Sequence, residues 1–103
     1  MEYQLVLQLQ GASLTSFDAL ISLEGELSLQ FSDVSEVDGH DMGCNEANIF
    51  ILTSNPLAAF SQARPVLERH NQLSTVKAAY RLLTEDAYCN LWPAGSEGEF
   101  LVA

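Results

Sequence analysis

Residues 36 to 46 read EVDGHDMGCNE and concentrate side chains that can do chemistry. Four carboxylates (Glu36, Asp38, Asp41, Glu46) stand there with His40 and Cys44, each one of only two of its kind in the chain. Three readings of such a stretch compete. The first is a metal site, because His40, Asp41, Cys44, Glu46 and the distant His70 are ligand types for zinc or another divalent ion. Their spacing contains no HxH, HExxH or CxxC, and the acids do not alternate as in a calcium-binding EF-hand loop. The second is acid/base chemistry, with His40 moving a proton and Asp38 or Asp41 orienting it. Cys44 as a nucleophile needs its thiolate, which the surrounding carboxylates disfavour. The third is structural and explains most of the composition. Asp38-Gly39 and Met42-Gly43 are turn dipeptides, the acids can accept backbone N–H bonds near a helix start, and His40 can brace the turn. The candidate ligand-binding set is therefore Asp38, His40, Asp41, Cys44 and His70, with no catalytic residue and no cofactor assigned.

Other catalytic signals are weak. Ser35, Ser54 and Ser74 lack a nucleophile-elbow context, and no glycine-rich phosphate loop occurs.

The elements that must position these residues follow from periodicity. Tyr3, Leu5, Leu7 and Leu9 alternate with polar positions, which predicts a strand over 3–9 with one buried face. Thr15 and Asp18 form a capping box, and Leu14, Phe17, Leu20, Ile21, Leu23 and Leu27 recur at helical spacing, so a helix is expected over 15–29. Residues 26–31 also alternate, which leaves two readings open. One is a long helix followed by a short strand near 33–38, and this is preferred. The other is a helix ended by Gly25 with a strand at 26–32, and it needs a long connection afterwards. Ala47 to Thr53 is apolar on both faces and reads as a central strand. Asn55 caps and Pro56 opens a second helix, in which Leu57, Phe60, Arg64 and Leu67 share a face. Pro65 predicts a kink or break near 61–64, and His70-Asn71-Gln72 ends the helix. A strand is expected over 75–83. Beyond it come an extended run at 88–91, a turn at Trp92-Pro93 and Gly95, an edge strand at 100–102, and a tail that covers part of the core. Trp92 reads as a core lid.

The order strand, helix, strand, strand, helix, strand predicts one α+β domain over 1–103. It has a ferredoxin-like βαββαβ pattern, with an antiparallel sheet, two helices on one face and an irregular C-terminal tail. In that topology residues 38–45 are the hairpin loop between the second and third strands. The loop then shares one end of the sheet with His70, as neighbours rather than in contact.

Charge bounds the partners. Fourteen acids against four bases give a net charge of −10, and the bases Arg64, Arg69, Lys77 and Arg81 all follow residue 63. They read as one solvated or self-paired patch. Such a chain repels phosphate backbones and anionic membranes, so neither nucleic acid nor membrane is an expected partner. A basic protein surface, a cation or a second copy of the chain fits better, and acidity for solubility alone fits as well. The chain has no apolar run of membrane-spanning length, and its N-terminus lacks the basic start of a signal peptide. With few cysteines and no CxxC, the expectation is a soluble cytoplasmic protein with two reduced thiols, a Cys44–Cys89 bridge being the alternative.

The run Val37 to Gly43, followed by Glu46 to Thr53, resembles one shared by a family of small, functionally uncharacterised bacterial proteins. The resemblance implies a compact single domain in the cytoplasm and brings no catalytic residue with it. In size and acidity the chain is also similar to immunity proteins that neutralise basic toxins. It lacks the CxxC of metal chaperones and the arginine-bearing first loop of acylphosphatases. The functional expectation is a non-enzymatic acidic protein acting through protein–protein interaction, immunity-like or homodimeric. The alternative is a small-molecule or divalent-metal binding domain that uses residues 38–45.

Overall fold

The computed structural model describes residues 2–10, 17–31, 33–43, 46–95, 98, 100 and 102. In chain order the elements are β1 (Tyr3–Gln10), α1 (Phe17–Gln30), β2 (Ser35–Gly43), β3 (Glu46–Thr53), α2 (Pro56–Arg69), β4 (Lys77–Leu82) and β5 (Cys89–Trp92). The protein is α+β, with two helices and a five-stranded sheet in the order β2-β3-β1-β4-β5, every neighbouring pair antiparallel. The expected four-stranded ferredoxin-like sheet is corrected here. The extended run after Tyr88 pairs with β4 as a fifth strand and occupies an edge the four-stranded pattern leaves open.

Alternation in β1 does what the sequence implies. Leu5, Leu7 and Leu9 point to the helical layer with Ile51, Ile49 and Ala47 opposite them in β3, all fully buried. Helix α1 adds Leu20, Leu23 and Leu27 to the same core, and α2 adds Ala59, Phe60, Ala63, Val66 and Leu67, so both helices cover one face. Burying each large aliphatic side chain contributes about 1.5–3 kcal/mol. The long α1 confirms the reading that needs no strand at 26–32.

β1 is also buried on its other face, where a single solvated face was expected. Val6 and Ala79 pack there under Phe100, with Phe50, Tyr88 and Val102 around them. The chain end therefore covers part of the sheet back, as expected, but Phe100 and Val102 lie in no strand. Polar side chains share that face. Gln8 Nε2 donates to Asn48 Oδ1 (3.2 Å) and Glu46 Oε2 (3.1 Å), and Asn48 Nδ2 donates to the same Glu46 oxygen (3.1 Å). Asn48 is fully buried, so this mutual satisfaction is what makes it tolerable.

Helix α2 starts as its sequence dictates. Asn55 accepts the Ala58 N–H at 3.1 Å, and Pro56 fills the first turn, where no N–H is needed. The helix runs through Pro65 without the break that was one of the two expected outcomes. Pro65 and Ser61, whose carbonyl loses its donor, both lie on the exposed face, where that carbonyl is open to solvent. The buried stripe also turns away from Leu57, which is exposed, towards Ala59 and Ala63. At the far end Gln72 N–H bonds to Leu67 O (2.8 Å) and Asn71 N–H to Glu68 O (3.0 Å). Asn71 takes the left-handed conformation (φ 58°) that this helix stop requires. The capping box at Thr15 lies outside the described residues.

Candidate functional site

The stretch that carries the candidate residues is mostly strand, and this corrects the loop reading. Residues 38–43 belong to β2 and β3 begins at Glu46, while positions 44–45, Cys44 among them, lie outside the described residues. The pairing register explains how a polar, glycine-rich run becomes a strand. Val37 faces Ile51 and Gly39 faces Phe50, so Asp38 is an extra residue in a β-bulge. Gly39 sits there at φ +151°, a conformation that penalises any side chain. Strict alternation from Val37 would turn Gly39 and Asp41 to the helices. The bulge shifts the phase by one and turns His40 to them instead, opposite Ile49.

His40 consequently meets helix α1. Its Nδ1 lies 2.6 Å from Glu24 Oε1, with side-chain exposures of 26% and 13%. That oxygen is buried and accepts no directed hydrogen bond, so the contact is an ion pair by distance, formed when the imidazole is protonated. Around the pair runs an open groove of about 420 Å³ between α1 and β2, walled by Ile21, Val37 and Asp38 and floored beside Gly25 and Gly39. Asp38 and Asp41 are exposed, and Asp41 is paired with Asn48 on the sheet back.

His70 stands elsewhere. It ends α2, and its Nε2 is 3.2 Å from Glu26 Oε2, an oxygen that Arg69 also approaches at 3.4 Å. Glu24 and Glu26 are two positions apart on α1, hence on opposite sides of that helix. The two histidines thus flank one helix, and the expected neighbourhood does not become a shared site. Among the described residues no group of three or more His, Cys, Asp or Glu is arranged to hold a metal ion. Ser28 lines the His40 groove, but no hydrogen bond joins the two, so no nucleophile–base pair is assembled there. Cys89 is an exposed free thiol, and the alternative of a Cys44–Cys89 bridge involves Cys44, which lies outside the described residues.

The bases do not form one patch. Lys77 and Arg81 pair in register with Gln8 and Gln4 on the sheet back, and Arg81 is engaged by Gln4 Oε1 (3.2 Å) and Glu85 O (2.9 Å). Arg64 and Arg69 lie on α2.

A second cleft was not anticipated from the sequence. In β5, Asn90 faces Ala79 and Trp92 faces Ala78, so Leu91 is an extra, bulged residue. This bulge turns Trp92 to the helical side, where its ring lies 5.5 Å from Phe60 and its Nε1 donates to Leu73 O at 3.1 Å. The Arg64 guanidinium carbon lies over the ring, 4.8 Å from its centroid, in a cation–π contact. Arg64, Glu68, Asn71, Leu73, Ser74 and Trp92 line an open cleft of about 530 Å³. Arg64 and Trp92 are 28 positions apart, and only the second bulge brings them together.

The exposed edge of β2 is the third feature. Glu36, Asp38 and Asp41 are exposed in this strand and Asp33 in the turn before it, with Met42 of the strand and Val34 of the turn each 47% exposed. No helix among the described residues is long and apolar enough to cross a membrane. Compared with known proteins, the chain matches no family model, no curated protein and no solved structure.

Proposed function

We propose that the protein is a non-enzymatic, acidic binding domain of the cytoplasm that engages a basic protein surface along the edge of β2. One observation carries the reading: among the described residues β2 is an outer strand of the sheet, and the strand with the turn before it presents four exposed carboxylates and two half-exposed apolar side chains. Edge backbone can accept an added strand, and the acids would speed association with a basic one and exclude acidic competitors. The same acids also guard the edge against indiscriminate pairing, which gives a selective interface rather than a sticky one. The partner is either a basic protein, as in toxin neutralisation, or a second copy of this chain. The likeness to small bacterial proteins and the ferredoxin-like description of the first six elements, with β5 as an addition, belong to this proposal.

The test is capture from the source cell at low and high salt, with the wild type and with the Glu36→Lys/Asp41→Lys variant. A protein held by the wild type at low salt, and released by salt and by the variant, supports the interface. Equal capture by both chains refutes it.

A second reading rests on the groove beside His40. Glu24, Asp38 and His40 line it, and the two glycines leave it open, so it suits a small cationic or hydrogen-bonding ligand. A thermal-shift scan with divalent ions and polyamines tests it, and a flat response across the scan removes it.

A further inference from the structure

From the cleft at the other end of the sheet, we infer that the protein binds a small amphipathic monocarboxylate between Arg64 and Trp92. The site is independent of the β2 edge, since β2 and β5 are the two outer strands of the sheet.

The argument starts from the arginines. Arg69 is paired with Glu26, and Arg81 is held by Gln4 and three backbone carbonyls. Among the described residues Arg64 makes no hydrogen bond and no ion pair, and its guanidinium lies over the face of Trp92. Stacking occupies the flat side of a guanidinium and leaves its N–H donors free at the edge. A stacked arginine is also pre-oriented, so less side-chain freedom is lost when an acid binds. Its fork matches one carboxylate in a bidentate pair.

The rest of the cleft limits the ligand. Trp92 and Leu73 offer an apolar shelf, and the ring is fixed by its N–H bond to Leu73 O and by Phe60 behind it. The space, about 530 Å³, is that of a small-molecule pocket. Glu68 lies one helical turn from Arg64 on the same side, in a chain of net charge −10. A second negative charge on the ligand would meet it, so a dianion or phosphate is disfavoured. Glu68, Asn71 and Ser74 can serve a hydroxyl or amino group on the ligand body.

Trp92 is the only tryptophan in the chain, so the cleft reports on itself. The full chain is titrated with 3-phenylpropionate while Trp92 emission is followed, with 3-phenylpropionamide and benzylmalonate as neutral and dianionic analogues. The expected result is saturable binding of the monocarboxylate, with both analogues weaker by about tenfold or more. Arg64→Gln should weaken phenylpropionate by a similar factor. Arg64→Lys, which keeps the charge and loses the fork, should fall between. Arg64 is exposed, so an unchanged melting temperature confirms that both variants are folded. No saturable response to about 10 mM, equal binding of the amide or the dianion, or an Arg64→Gln variant that binds like the wild type would each overturn the inference.

Discussion

Glu24 Oε1 and His40 Nδ1 stand 2.6 Å apart across the boundary between α1 and β2, and a single extra residue in the strand puts them there. The carboxylate oxygen is buried and has no directed hydrogen bond of its own. Removing the imidazole therefore strands it. His40→Ala should destabilise the fold by about 1–3 kcal/mol, the cost of leaving a buried acceptor uncompensated. In the double-mutant cycle with Glu24→Ala, the second substitution should recover part of that loss. Chemical denaturation of the four proteins measures the coupling, and strictly additive losses would mean that the pair contributes nothing.

The bulge makes a sharper claim about the same pair. Asp38 is the residue the register skips, so deleting it leaves Val37 opposite Ile51 and His40 opposite Ile49. The deletion should keep the fold and the His40–Glu24 coupling. Gly39→Ala, by contrast, forces a side chain into φ +151° and should cost on the order of 1–3 kcal/mol, although nothing lies within 4 Å of the added carbon. If the deletion proves more damaging than Gly39→Ala, the bulge has been assigned to the wrong residue.

On the sheet back, Asn48 is fully buried and bonded to Gln8 and Glu46. Asn48→Ala should cost about 1–3 kcal/mol by orphaning its partners. Asn48→Asp sets a fully buried carboxylate within reach of the half-buried Glu46 Oε2 and should cost more, roughly 3 kcal/mol or above at neutral pH. Thermal denaturation of both variants gives the order, and the reverse order would contradict the network.

The core is tested by contrast. Leu7→Ala empties a fully buried site between the sheet and the helices and should lose about 2–5 kcal/mol. Leu29, 89% exposed at the end of α1, should tolerate alanine within about 0.5 kcal/mol.

Where one rule governed a segment, the sequence was readable. β1, β3 and the start of α2 follow from alternation, from β-branched residues and from the Asn55-Pro56 pair. The polar run at 38–43 was not readable as strand, because its glycines are turn residues and its period breaks at Asp38. A bulge carries no signature that separates it from a turn until the partner strand is known. The same blindness hid Trp92, whose aim depends on the bulge at Leu91 and on β5 joining β4. It does cover Phe60, so the lid expected of it is real as far as packing goes. Pro65 misled for another reason: its cost depends on which face of the helix it occupies, and tertiary packing decides that. Of the candidate ligands, His40 and Asp38 do share a groove. His70 belongs to the other flank of α1, and Asp41, opposite Asn48, is turned to the sheet back.

The most direct test of the proposed interface is photocrosslinking in the source cell from two positions, Glu36 on the β2 edge and Ser61 on the outer face of α2. The interface predicts a discrete adduct from position 36, with a basic protein or with a second copy. It should be absent from position 61 and lost when Asp33 and Asp41 are both changed to lysine. The same adducts from both positions, or an adduct at 36 that survives the charge reversal, would contradict it.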